Sequence, residues 1–183
     1  MPPGEEEITM NVKFLNPFVS AAHEILSMEM RGDVQRGDLR LENGPYTTDE
    51  ITVIISLVGG VDGTVFFSMS KDAALQLAST MIGEKFETLD KLAQSGIAEL
   101  ANVITGRASM KLAEAGFESN ISTPSLIIGK GATISTLDYP RLIVPLITSN
   151  GATTIHLALR EGPPTNLKAP QLGVPKAFEL PKP

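Results

Sequence analysis

The sequence predicts an α+β fold in which helices pack on one face of a largely antiparallel sheet. Three observations carry that expectation. They are a β-branched hairpin over residues 51–70, one long amphipathic helix near residues 88–115, and a return to β-like runs that ends in a second turn-linked pair. The 183 residues suffice for a single core, and 42% hydrophobic with 20% charged residues is the balance of a globular chain. No run approaches the roughly 18 apolar residues of a spanning helix, so no membrane insertion is expected.

Residues 1–10 read as a flexible leader whose acids, in MPPGEEEIT, stand where a secretory signal would carry basic and then apolar residues; a cytoplasmic location follows as the expectation. One domain is expected over 11–161. Its first helix is predicted from Asn16 to Met30, with Asn16 as N-cap, Pro17 at the first helical position, and Phe18, Ala21, Ala22, Ile25 and Met28 at helical spacing. Between Gly32 and Asp49 the Gly-, Asp- and Arg-rich stretch supports at most a short exposed edge strand, around Leu39 and Leu41.

The run ITVIISLV, residues 51–58, predicts a buried strand, GGVDG a turn whose glycines permit positive φ, and TVFFSMS the returning strand. A helix over Lys71 to Met81 follows, capped by Ser70 and stopped at Gly83. The long helix should begin near Thr88 to Asp90 and run to about Ala115, with Gly116 as its left-handed terminator. Strands are predicted at Thr123 to Gly129, Arg141 to Thr148 and Ala152 to Arg160, with GKGA and SNGAT as turns. Each half thus reads as a helix followed by antiparallel strands, a hint of internal duplication that the weak identity between the halves does not establish. Prolines 163, 164, 170, 175, 181 and 183 make residues 162–183 an extended tail.

Composition narrows the chemistry. A net charge of −6 with scattered Lys and Arg provides no field for a nucleic acid backbone. Zero cysteines exclude disulfides, thiolate catalysis and Cys-based metal sites, and the two histidines, His23 and His156, lack metal-ligand spacing, so neither metal nor cofactor is expected on this chain.

At about 100° per residue, Ile97, Leu100, Ala101, Ile104, Ala108 and Leu112 of the long helix fall within an arc of about 120°, the face that must meet the sheet. Ser95, Glu99, Asn102 and Gly106 fall on the opposite side, at about 140 to 200°. On most helices such a face is simply solvated. Here Asn is a poor helix former, Gly96 and Gly106 each cost about 1 kcal/mol against Ala in a helix interior, and the face carries no Lys or Arg. A carboxylate and an amide among short side chains suit close approach by another surface, Glu99 to hold a cation and Asn102 to hold a water or a phosphoryl oxygen. The spacing alone leaves both readings open.

The stretch SGIAELANVITGRASMKL, Ser95 to Leu112, resembles the CheC/CheX/FliY chemotaxis phosphatases, and among them the CheX members most closely, through E-x-x-N followed by Gly, a small residue and Met-Lys-Leu. GGVDGTVFFSMS, Gly59 to Ser70, is similar to that family's glycine hairpin, and AGFESNISTPSLIIGKG to its segment leading to a Thr-Pro and a strand. The resemblance covers about residues 11–160. It implies the CheC-like layered fold and hydrolysis of the aspartyl phosphate on a CheY-type response regulator, with Mg²⁺ held by the partner receiver domain. Residue by residue, it makes Glu99 the anchor on a receiver lysine, Asn102 the residue that positions the attacking water, and Ser95, Ala98 and Gly106 the surrounding partner-binding surface. It also implies a homodimer, with strand edges around Leu39 or in the 152–160 hairpin as pairing surfaces.

The family's CheC-like members carry a second E-x-x-N on the first helix. Here that helix reads NPFVSAAHEILSMEM, with no such pair, and His23-Glu24 is more ordinary as a structural or exposed pair than as a site. Two other readings are weighed: a non-catalytic module that docks on a receiver or motor component, and an unrelated hydrolase using Glu99 as its acid. The second lacks a nearby carboxylate or base.

Overall fold

Residues 3–136 and 139–163 are described by the structure, a computed structural model, with side chains from residue 13 onward. In chain order the elements are α1 (Pro3–Met30), β1 (Gln35–Arg36), β2 (Arg40–Glu42), β3 (Tyr46–Thr47), β4 (Ile51–Gly59), β5 (Val61–Met69), α2 (Lys71–Ile82), α3 (Lys91–Glu114), β6 (Ser119–Ile121), β7 (Ser125–Ile128), β8 (Thr133–Ile134), β9 (Arg141–Thr148) and β10 (Gly151–Glu161). The expected α+β class holds, with helices on one face of an antiparallel sheet.

The sheet runs β1-β9-β10-β5-β4-β6, with β2 also on β9 and β7 also on β4, and β3 and β8 form a separate ribbon. The long pairings β4 with β5, β5 with β10 and β9 with β10 are all antiparallel. Strand alternation divides the side chains cleanly. Val53, Ile55, Val65, Phe67, Val144, Leu146, Ile155 and Leu157 point to the helices and form the main core with Phe14, Phe18, Leu26, Leu77, Ile97 and Ile104. The opposite face carries Phe66 and Ala158, covered by Tyr46 from the ribbon.

Several expectations are corrected. The first helix does not start at Asn16: it begins at Pro3 and carries Pro17 in its interior, so its first turns overlap the residues read as a leader. An interior proline removes one backbone hydrogen bond and ordinarily disfavours a helix by about 3 kcal/mol. Phe14, Leu15 and Phe18, all buried, supply the packing that carries the helix past it. The strand expected over Thr123 to Gly129 is β7, shortened to Ser125–Ile128 after Pro124, and β6 is a separate strand that precedes the expected range. The two-residue strands β3 and β8 were not foreseen. Strand β10 is paired on both sides, so the 152–160 hairpin offers no free edge. The β1 and β2 strands on β9 do form an edge, where Leu39 and Leu41 are exposed. The tail expected from residue 162 lies, from residue 164 on, outside the described residues.

Candidate functional site

Helix α3 is held at both ends and along one flank. Asp90 is its N-cap, its carboxylate accepting from the Ala93 N–H at 2.9 Å. At the other end Gly116, at φ +91°, lets the Phe117 N–H reach the Leu112 carbonyl at 2.8 Å and the Gly116 N–H reach the Ala113 carbonyl at 2.9 Å, the paired bonds of a Schellman turn. The β4–β5 hairpin then clamps the departing chain. The Gly60 N–H donates to the Glu118 carbonyl at 2.6 Å, and a Cβ on Gly60 would stand 2.9 Å from the Phe117 backbone, an approach only glycine allows. Phe117 packs edge-on against Phe14 of α1 at 5.5 Å.

On the flank, Arg107 grips Glu24 of α1 with two hydrogen bonds, Nη2 to Oε1 at 2.8 Å and Nε to Oε2 at 3.2 Å, and Lys111 Nζ stands 3.5 Å from the same carboxylate. The Arg107 hydrogen bonds hold the Glu24 carboxyl below its usual range. Glu24, the acid of the His23-Glu24 pair, is thereby committed to fixing the two helices. His23 beside it is exposed.

The inward stripe is as projected: Ile97, Leu100, Ala101, Ile104, Ala108 and Leu112 are all buried. Ser95 and Glu99 are exposed, and Ala98, Asn102 and Gly106 are half-buried at the edge of the same outward surface. Among the described residues the side chains of Glu99 and Asn102 have no hydrogen-bond or ion-pair partner. Ser95 differs, since its hydroxyl donates back to the Lys91 carbonyl at 2.8 Å and keeps only acceptor capacity for a partner.

The two helix-interior glycines have different surroundings. A Cβ on Gly96 would meet Ile82 Cδ1 at 3.1 Å, so Gly96 serves the close packing of α3 against the end of α2. At Gly106 the nearest atom would be Ile121 Cδ1 at 3.9 Å, an ordinary contact. Packing inside this chain therefore requires no glycine at 106. The sequence reading also missed three residues. Leu92, Val103 and Met110 are 51%, 40% and 57% exposed, and helical projection puts them at about 220 to 240°, directly beside Glu99. Together they give the carboxylate and amide an apolar border of the kind found at docking surfaces.

No helix among the described residues is long and apolar enough to cross a membrane. None of their His, Asp and Glu side chains cluster in threes as a metal site would require.

Comparison with known proteins gives a consistent picture. Residues 51–147 match the family model described as chemotaxis phosphatase CheX, a span that includes the whole of α3. The CheY-P phosphatase CheX of Thermotoga maritima is 24% identical over 154 residues, covering 84% of this chain and 99% of that protein. Among solved structures, a CheC-like superfamily protein from Shewanella sp. PV-4 superposes with a TM-score of 0.72 at 27% identity, covering 82% of this chain and 98% of its own. CheX of Borrelia burgdorferi, in a complex with CheY, BeF₃ and Mg²⁺, gives a TM-score of 0.69 at 26% identity over 81% of this chain and 98% of that one.

Proposed function

The chain belongs to the CheX family of chemotaxis phosphatases, and from that premise we propose that it hydrolyses the aspartyl phosphate of a CheY-type response regulator through the outward face of α3. One observation carries the reading. Glu99 and Asn102 stand one turn apart on a helix fixed at both ends, without side-chain partners among the described residues, with Leu92, Val103 and Met110 exposed around them.

Glu99 pairs with a lysine of the receiver and sets the docking register. Asn102 enters beside the acyl phosphate, where its amide accepts one water hydrogen and leaves the water oxygen in line with phosphorus. That oxygen forms the new P–O bond as the bond to the aspartate oxygen breaks. The carboxylate and inorganic phosphate leave, and the water proton passes to phosphate or solvent. Such a transfer asks mainly for in-line placement and charge neutralisation. The receiver's Mg²⁺ supplies the neutralisation, so this chain needs neither a metal of its own nor a general base. Ser95, Ala98 and Gly106 keep the surrounding surface low enough for contact. The homodimer implied by the resemblance is assigned to the β1–β2 edge.

The test is multiple turnover. Phosphorylated receiver with Mg²⁺ should lose its phosphate to substoichiometric amounts of this protein. A non-catalytic docking module would bind the receiver and release no phosphate.

A further inference from the structure

The sheet face turned away from the helices holds a polar cleft that the phosphatase reading leaves unused. Beside the β3–β8 ribbon a cavity of about 310 Å³ opens, with Arg40, Lys130, Asp49, Tyr46, Ser68 and His156 in its lining. That volume lies at the small end of ligand sites and far exceeds the roughly 30 Å³ of one water.

Tyr46, one of its lining residues, is packed against buried nitrogens that lack partners. Ser68 Oγ lies 3.0 Å from His156 Nε2, while His156 Nδ1 is buried with no partner. Arg141, 3% exposed, sits over the Tyr46 ring at 5.5 Å, and the same ring meets the His156 imidazole at 4.8 Å. Arg141 Nη2 reaches Glu42 at 3.3 Å, but Nε and Nη1 are buried without a partner. Among the described residues these three are the only buried side-chain nitrogens or oxygens left unmatched, and all three surround Tyr46. These nitrogens are closed to solvent and Arg141 lies outside the lining, so its guanidinium contributes charge to the cleft rather than a contact.

The field points the same way. Although the chain carries a net −6, Arg40 and Lys130 face a single acid, Asp49, in the lining, and Arg141, paired with Glu42, lies just outside it. Burial, then Arg141 and Arg40, push the His156 imidazole down to about 4. The smaller contribution from Arg141 and Arg40, unlike that of burial, is a positive potential, and it also attracts an anion.

We propose that this cleft is a binding site for a small oxyanion, a phosphate- or carboxylate-bearing solute, held by Arg40 and Lys130 beside His156 and in the field of Arg141. It lies on the sheet face opposite α3, so its occupancy is separable from phosphatase activity.

The test is an amide NMR titration of the full chain with inorganic phosphate, and in parallel acetate, at ionic strength held constant with chloride. The expected result is saturable shifts confined to residues 46–49, Ser68, Lys130, Thr154 and His156 with at least one of the two anions, and which anion saturates distinguishes the phosphate from the carboxylate source. Arg40→Ala with Lys130→Ala should weaken binding at least tenfold; both side chains are exposed, so the fold should survive. Asp49→Asn should tighten it. Lys85→Ala, at an 83% exposed side chain outside the cleft lining, should leave it unchanged. Non-saturating drift with both anions, or equal weakening by Lys85→Ala, would overturn the assignment.

Discussion

Replacing Gly106 with Ala separates what the fold needs from what docking needs. A helix-interior glycine is worse than alanine by about 0.8–1 kcal/mol. At position 106 an added Cβ meets nothing closer than Ile121 Cδ1 at 3.9 Å, so no packing penalty offsets that gain. The variant should therefore be more stable by somewhat under about 1 kcal/mol, a rise in Tm of about 2–4 °C for a domain of this size. The same methyl stands on the surface where the receiver must approach. If contact there is close, one extra methyl costs about 1–3 kcal/mol of docking, roughly a 5- to 150-fold higher KM. Thermal melts and initial rates over a range of phosphorylated receiver concentrations read the two effects separately. A destabilised variant would show that the fold does require glycine there. A stabilised variant with unchanged KM would show that the receiver does not come near Gly106, and the proposed docking face would be refuted. Gly96→Ala provides the contrast: its Cβ would press on Ile82 at 3.1 Å, so the helix gain should be largely cancelled.

Glu99→Ala should raise KM about 30-fold or more, from the roughly 2 kcal/mol or greater cost of breaking an interfacial charge pair, with kcat near the parent's; an unchanged KM would remove the anchor role. Asp90→Ala should lower stability by about 1 kcal/mol in denaturant melts through loss of the N-cap bond to Ala93. Ile104→Ala, at a site 1% exposed, should cost about 2–5 kcal/mol. His156 gives a pH signature. Its folded pKa of about 4 lies below the ordinary 6.5, so between those values the unfolded chain binds more protons and stability must fall as pH drops. The loss begins near pH 6.5 and approaches about 3 kcal/mol below pH 4. His156→Gln should flatten that slope, and an unchanged slope would assign it elsewhere.

How legible the molecule was depended on whether the deciding interaction is local. Ser70, Gly83, Asp90 and Gly116 fix the ends of α2 and α3 through bonds within a few residues, and those ends were read closely. At Pro17 a local start signal misled, because the helix is carried through by Phe14 and Phe18 packing into a core formed by residues distant in sequence. The β3–β8 ribbon pairs Tyr46 with Ile134 over two residues a side, too short for any periodicity to show. In the site, helical projection placed Glu99 and Asn102 on one outward surface. It could not tell that Gly96 is spoken for by Ile82, or that Leu92, Val103 and Met110 stay uncovered, since both depend on which elements pack around α3. The Ser68–His156 pair spans 88 residues and has no sequence signal at all.

The most direct test of the account is Asn102→Ala in a single-turnover reaction, with enzyme in excess over phosphorylated receiver and binding to the beryllofluoride-activated receiver measured in parallel. Water positioning predicts binding close to the parent's and a rate constant lower by about 10²-fold, the usual penalty for misplacing a reacting group. Dephosphorylation by the variant as fast as by the parent would contradict the role assigned to Asn102, and with it the reading of α3 as the catalytic surface.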